Sequence, residues 1–405
     1  MIEPEFALEG AVELSPARPA ALIAPLSSAF DLAESQAPGH SVRVAHVALT
    51  VAARLGLDVA TRRTVLYAAL LHDAGVAAAT LPSHVDESGG HTAAGAWIAE
   101  LFGLDERIQD TIRHSHERWD GTGRPHGRTG DEVPVEALLV SAAHWATDIA
   151  ESPESPLRAR VALQSAQPRD LAVMAGPEVA EALAAVVRDD ATWTALWDDH
   201  LAARVTLAAN GDGRASVKNV ERIAATMGEV VDMALREPGR SGRVAELAVQ
   251  LARRIGMPAS ERRALGVAAQ LMDIGQLGVP RHVTEKPAIL SLAEMELMRH
   301  HPGMAARIVE QVPGMEELAA WVHAHHERPD GRGYPEMLDE REIPLASRIL
   351  AVADTYWALR ADRPHREAFD DREALEILDA GAGQIYDGDI VMLLKPSLHA
   401  AEAVA

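Results

Sequence analysis

The chain contains no cysteine, which excludes disulfides, iron–sulfur clusters and cysteine–zinc centres. Aromatic residues make up only 4%, against the aromatic and β-branched composition that sandwiches and barrels draw on. Positive charge is scarce too: 38 Lys and Arg face 60 Asp and Glu, a formal net charge of −22. So acidic a surface repels a polyanion, so a groove for long nucleic acid is not expected. A small phosphorylated ligand stays admissible, because a bound divalent cation supplies positive charge locally. No apolar run reaches the roughly 18–20 residues that cross a bilayer, so no membrane segment is expected. The opening MIEPEFALEG lacks the basic and apolar regions of a signal peptide, and the cytoplasm is the expected location.

What the chain does have is length and apolar content. At 405 residues, 48% hydrophobic and 24% charged, it reads as globular, and a prior of roughly 150 residues per domain suggests two or three domains. Abundant Ala with frequent Leu, Glu and Arg favours helices packed through small side chains.

The sequence also repeats itself. HSHERWDGTGRP near position 120 is answered by AHHERPDGRGYP near 330, LLHDAG at 70–75 by LMDIG at 271–275, and HSVRVAHVALTVAARLGL from His40 by RSGRVAELAVQLARRIGM from Arg240. His40 and Arg240, like Asp73 and Asp273, lie 200 positions apart; His91 and His301, His116 and His326, and His144 and Asp354 lie 210 apart. A single ten-residue insertion between Asp273 and His301, where the second copy reads GVPRHVTEKPAILSLAEME, accounts for both offsets. Two tandem all-α bundles related by internal duplication are therefore expected: an N-terminal extension over 1–30, a first domain over 31–207, a Gly/Asn/Asp-rich linker over 208–216 and a second domain over 217–405. Apolar residues at i, i+3, i+4 and i+7 with a glycine just past the last turn mark the helices.

A neighbouring His-Asp pair on a helix more often makes ordinary hydrogen bonds than chemistry. Here the pair His72–Asp73 is accompanied by His40, His91, His116 and His144 on separate predicted helices, and a helical bundle can aim such residues inward. Imidazoles and a carboxylate suit iron, manganese or zinc, and an aspartate can bridge two ions.

Both halves resemble the HD superfamily of metal-dependent phosphohydrolases, and more narrowly its HD-GYP family, whose pattern runs His, HD, a lone His, HHE, DGxGYP and a closing Asp. That resemblance implies a helical fold, bound metal ions and hydrolysis of cyclic dinucleotides. The first half supplies His40, His72, Asp73 and His91, then Ser115–His116–Glu117 for HHE, Asp120-Gly-Thr-Gly-Arg124-Pro125 for DGxGYP and His144 for the closing Asp, while the family's Lys is Val76. The second half keeps His301, His325, His326, Glu327, the loop Asp330 to Pro335 and Asp354. It replaces the opening His by Arg240, the HD His by Met272 and the Lys by Gln276.

The resemblance implies one ion on His40, His72, Asp73 and His144, and a second on the shared Asp73 with His91 and His116. These would be two divalent ions, iron or manganese in first place and zinc as the alternative, with His72 and Asp73 as the catalytic core. Arg113, Arg118 and Arg124 are candidates for phosphate charge, although plain surface ion pairs are the competing reading. A residual second-half ion on Asp273, His301, His325, His326 and Asp354 is a further expectation.

The expected function is a metal-dependent phosphodiesterase acting on a small nucleotide ligand, a cyclic dinucleotide or a related phosphodiester. The first half would be active and the second structural or regulatory. Alternatives are a catalytically inactive signalling protein that binds a nucleotide or partner protein, and a di-iron oxygenase built on the same ligands. A homodimer is also compatible with the repeat.

Overall fold

The computed structural model describes residues 12–78, 90–152, 155–207, 214–362 and 366–394. Among them every regular element is a helix, and β contacts are isolated bridges such as Asp120–Thr129, Asp330–Asp339 and Ala382–Tyr386. The all-helical expectation holds. No described helix is long and apolar enough to cross a membrane.

The chain divides into two compact units, Ala17–Ala215 and Ser216–Ala405, and the described residues ahead of Ala17 belong with the second. Helices Pro19–Leu26 and Ser28–Ala33 fall inside the first unit and bury Leu22, Ile23, Leu26 and Phe30 there. Residues 17–30 are thus part of that unit's core and not a separate extension, because their apolar side chains need a partner surface. Residues 1–11 and most of the expected linker over 208–216 lie outside the described residues.

In the first unit, helix His40–Arg54 packs against Val59–Leu71 and Val135–Ala150, and Val59–Leu71 packs against Glu106–Arg113. The apolar stripe read from the sequence explains this, since Val44, Ala45, Val47, Ala48, Val51 and Ala52 are all buried along one helix. Asp58 starts Val59–Leu71 by accepting the Thr61 backbone N–H at 2.7 Å. Its last turns, Leu66 to Leu71, are fully buried, so the chain delivers His72 and Asp73 directly into the interior.

Gly75 follows in the 3-10 turn Ala74–Ala77. A Cβ there would lie 1.8 Å from the His91 carbonyl oxygen and 2.5 Å from the Gly95 amide. Only glycine lets helix His91–Leu101 sit this close, with His91 as its first residue.

The second unit repeats the plan. Arg240–Ile255 packs against Ala259–Leu271 and Leu345–Leu359, and His301–Glu310 rests on the turn Ile274–Gly278. A Cβ on Gly275 would meet the His301 carbonyl at 2.1 Å, so the same close approach recurs. The longer segment that holds the ten-residue insertion carries the helices Arg281–Thr284 and Leu292–Arg299; the first-half stretch 79–89 is outside the described residues.

Candidate metal centre

In the first unit His40, His72, Asp73 and His144 converge, each offering a ligand atom within 4.8 Å of the others. His40 opens its helix, His72 and Asp73 follow the end of the next, and His144 lies within Val135–Ala150. His40 and His72 are 1% and 0% exposed. Their outer nitrogens are held: His40 Nδ1 donates to the Glu151 carboxylate at 2.8 Å, and His72 Nδ1 donates to the Ala69 carbonyl at 2.8 Å. Such bonds fix the tautomer and leave each Nε2 with its lone pair directed inward. His40 Nε2, His72 Nε2 and both oxygens of Asp73 are buried without a hydrogen-bond partner outside the cluster; within it His72 Nε2 faces Asp73 Oδ2 at 2.8 Å. Orphaned buried polar atoms cost free energy unless something satisfies them, and three nitrogens with a carboxylate suit a divalent cation. The residues present fit the ions that the sequence implied.

A second group, Asp73, His91 and His116, shares that aspartate. His91 Nε2 and His116 Nε2 face each other at 2.8 Å, and each lies 3.9 Å from Asp73 Oδ1. Their side chains are 40% and 31% exposed, so this position opens to solvent and the His40 position does not. Burial lowers the pKa of both, that of His116 to about 4, and keeps them neutral ligands at neutral pH. Burial works against ionisation of Asp73 as well, but His72 prevails and holds its carboxyl below the ordinary range.

Sequence reading missed two carboxylates. Glu34, at the end of Ser28–Ala33, lies against Asp73, and burial together with that neighbour pushes its pKa up to about 8. Glu151, 8% exposed, joins His40 to Arg43. Glu34 has no motif to announce it. Glu151 had a signal, because His144, Asp148 and Glu151 share one helix face at i, i+4 and i+7. Asp148 lies 3.3 Å from His144 Nε2 and 4.0 Å from His40 Nε2. Asp73 and Asp148 bring negative charge to the cluster, while Glu34 is held in its neutral form at neutral pH and Glu151 is balanced by Arg43.

The loop beside His116 is fixed by backbone bonds. Glu117, fully buried, accepts the N–H groups of His126 and Arg128, and Asp120 accepts from Thr122. Arg124 N donates to the His116 carbonyl at 3.0 Å, while the Arg124 side chain is exposed. Arg113 and Arg118 lie 3.4 Å from Asp110 and Asp120. Ser115, where the second half has His325, donates to the Ile112 carbonyl.

In the second unit His301, His325 and His326 form a cluster, and His326 stacks on Tyr334 with ring centroids 4.8 Å apart. Asp273 and Asp354, expected to join a residual ion site, are instead bound to Arg240: Nη1 donates to Asp273 Oδ2 and Nη2 to Asp354 Oδ1, both at 2.5 Å. Gln276 donates to Asp273 Oδ1 at 2.6 Å.

Family models for the HD domain match residues 39–145 and 221–390, together more than half of the chain. Among curated relatives, 3'3'-cGAMP-specific phosphodiesterase 3 of Vibrio cholerae is 29% identical over 310 residues, 75% of this chain and 66% of that protein. Cyclic di-GMP phosphodiesterase of Thermotoga maritima is 36% identical over 151 residues, 37% of this chain and 41% of that protein. The chain thus spans less than two thirds of the length of these relatives. The crystal structure of the V. cholerae cyclic GMP-AMP phosphodiesterase V-cGAP3 superposes with a TM-score of 0.70 at 23% identity, covering 95% of this chain and 98% of that one, which shows a common fold. With the motifs in register and two family matches in sequence order, the chain belongs to the HD superfamily and carries two HD domains in tandem.

Proposed function

We propose that this protein is a metal-dependent phosphodiesterase acting on a cyclic dinucleotide or a related nucleotide phosphodiester, with its active centre in the first HD domain. The observation that carries this reading is the convergence of buried, inward-facing ligand atoms on His40, His72, Asp73 and His144, adjoining the more open Asp73–His91–His116 group. Names of the relatives, phosphodiesterases for cyclic GMP-AMP and cyclic di-GMP, support the substrate class.

Divalent ions, two in number and iron or manganese before zinc, would supply Lewis acidity and positive charge at the phosphoryl group. The protein's own groups do the rest. Glu151 and the Ala69 carbonyl hold the His40 and His72 rings in one tautomer. Asp73 serves both positions. Glu117 and Asp120 shape the loop that carries Arg124 past His116, and Arg124, exposed and without an ion-pair partner among the described residues, is better placed for a phosphate oxygen than Arg113 or Arg118, which lie beside Asp110 and Asp120.

A second reading, nucleotide binding without turnover, is favoured by Ser115, whose hydroxyl is turned to a backbone carbonyl and leaves the open position one imidazole short. Elemental analysis of the purified protein, followed by chromatographic assay of cyclic di-GMP and 3'3'-cGAMP with iron or manganese present, separates the two. The phosphodiesterase reading expects bound metal, product formation, and loss of both in His72→Ala. Tight nucleotide binding with no product selects the second reading, and a metal-free protein indifferent to His72→Ala defeats the first.

A further inference from the structure

The four positions that converge in the first HD domain have counterparts in the second: His40 corresponds to Arg240, His72 to Met272, Asp73 to Asp273 and His144 to Asp354. The ligand-type nitrogens are gone, yet two carboxylates remain buried, Asp273 at 3% and Asp354 at 7% exposure. Two bare carboxylates in such a place would repel each other and lose hydration with nothing in return. We infer that the Arg240 guanidinium is a resident cation that stands in for a metal ion at this position of the second domain, closing it to metals and balancing its buried carboxylates without one.

The geometry supports the substitution group by group. Arg240 is the first residue of its helix, as His40 is, so its side chain enters the bundle from the same place. It is 6% exposed and divides its donors between Asp273 and Asp354 at 2.5 Å each, while its Nε lies 3.1 Å from Glu237 Oε2. The second oxygen of Asp273 is taken by Gln276 at 2.6 Å. Both Asp273 oxygens therefore have guanidinium or amide donors, whereas Asp73 has no such donor and its Oδ2 lies 2.8 Å from the His72 ring nitrogen Nε2. Met272, 1% exposed, fills the place of His72 with an apolar side chain. A guanidinium is a suitable replacement because it stays charged at any physiological pH and presents several donors in a fixed plane. Unlike an ion it cannot leave, and it offers no open coordination position.

The test uses the full-length chain and reads metal content and unfolding, so it does not depend on whether the first domain hydrolyses anything. Asp354→Asn should leave the metal count per chain, by elemental analysis, equal to that of the unaltered protein. Arg240→Ala should lower the unfolding midpoint of the second domain, on the order of 10 °C for a broken buried ion pair in a domain of this size, and millimolar manganese or zinc should restore part of that loss. Arg240→His combined with Met272→His should gain about one ion per chain. The inference is overturned if Asp354→Asn removes an ion from the natural sequence, if Arg240→Ala leaves the midpoint unchanged, or if the folded double variant gains no metal. Should the double variant not fold, the other two measurements still decide.

Discussion

Glu151 is buried between His40 and Arg43, with one carboxylate oxygen on each. Its effect on the centre is indirect: it keeps the His40 proton on Nδ1. Removing such a partner typically costs 10–100-fold in metal affinity. Glu151→Ala is therefore expected to weaken the His40 position by about that factor in chelator competition and to leave the His91–His116 position unchanged; equal weakening of both would contradict the assignment. His301 gives a pH-dependent counterpart in the second domain. Burial lowers its pKa to about 4, below the roughly 6.5 of an unfolded chain. The unfolded state then binds more protons between those values, so stability is retained above pH 6.5 and falls as pH drops from 6.5 towards 4, by at most about 1.4 kcal/mol per unit for this group. Urea unfolding of chelator-treated protein at pH 7, 6 and 5 should show a shallower loss in His301→Gln than in the unaltered chain. Identical slopes would remove His301 as the cause.

Among the elements, the turn Ala74–Ala77 decides whether the two proposed metal positions could coexist. It must pass beneath helix His91–Leu101 closely enough for Asp73 and His91 to face each other, which is why a Cβ at Gly75 would stand 1.8 Å from a backbone oxygen. Gly75→Ala should cost at least about 1–3 kcal/mol by overpacking and displace His91, seen as loss of the more exposed ion with the buried one retained. Gly242 is the control. It sits near the start of Arg240–Ile255 with no atom within 4 Å of a Cβ built there. Gly242→Ala should raise stability by about 0.5–1 kcal/mol, the ordinary gain for a helical alanine. A destabilised Gly242→Ala would show that the helix start is more constrained than its geometry implies.

For the whole molecule, duplication has produced two domains of one plan that, on the function proposed above, would balance buried carboxylates differently: the first against a cation from solution, the second against Arg240. Chelator should consequently lower the unfolding temperature of the first domain and leave the Arg240 region of the second unaffected, checked by hydrogen exchange on helices His40–Arg54 and Arg240–Ile255 with and without chelator; parallel loss of protection in both would contradict the difference. The sequence alone determined the all-helical class and the repeat, and it pointed to His40, His72, Asp73, His91, His116 and His144 as candidate ligands, because helical periodicity and fixed motif spacing are local properties of the chain. It also exposed the loss of His at 240 and 272. What only the tertiary structure decided are contacts between residues far apart in sequence: Glu34 against Asp73, Glu151 on His40, and Arg240 between Asp273 and Asp354. No local pattern encodes them, since each depends on where separate helices bring their ends together, and it is there that buried charge must find its partner.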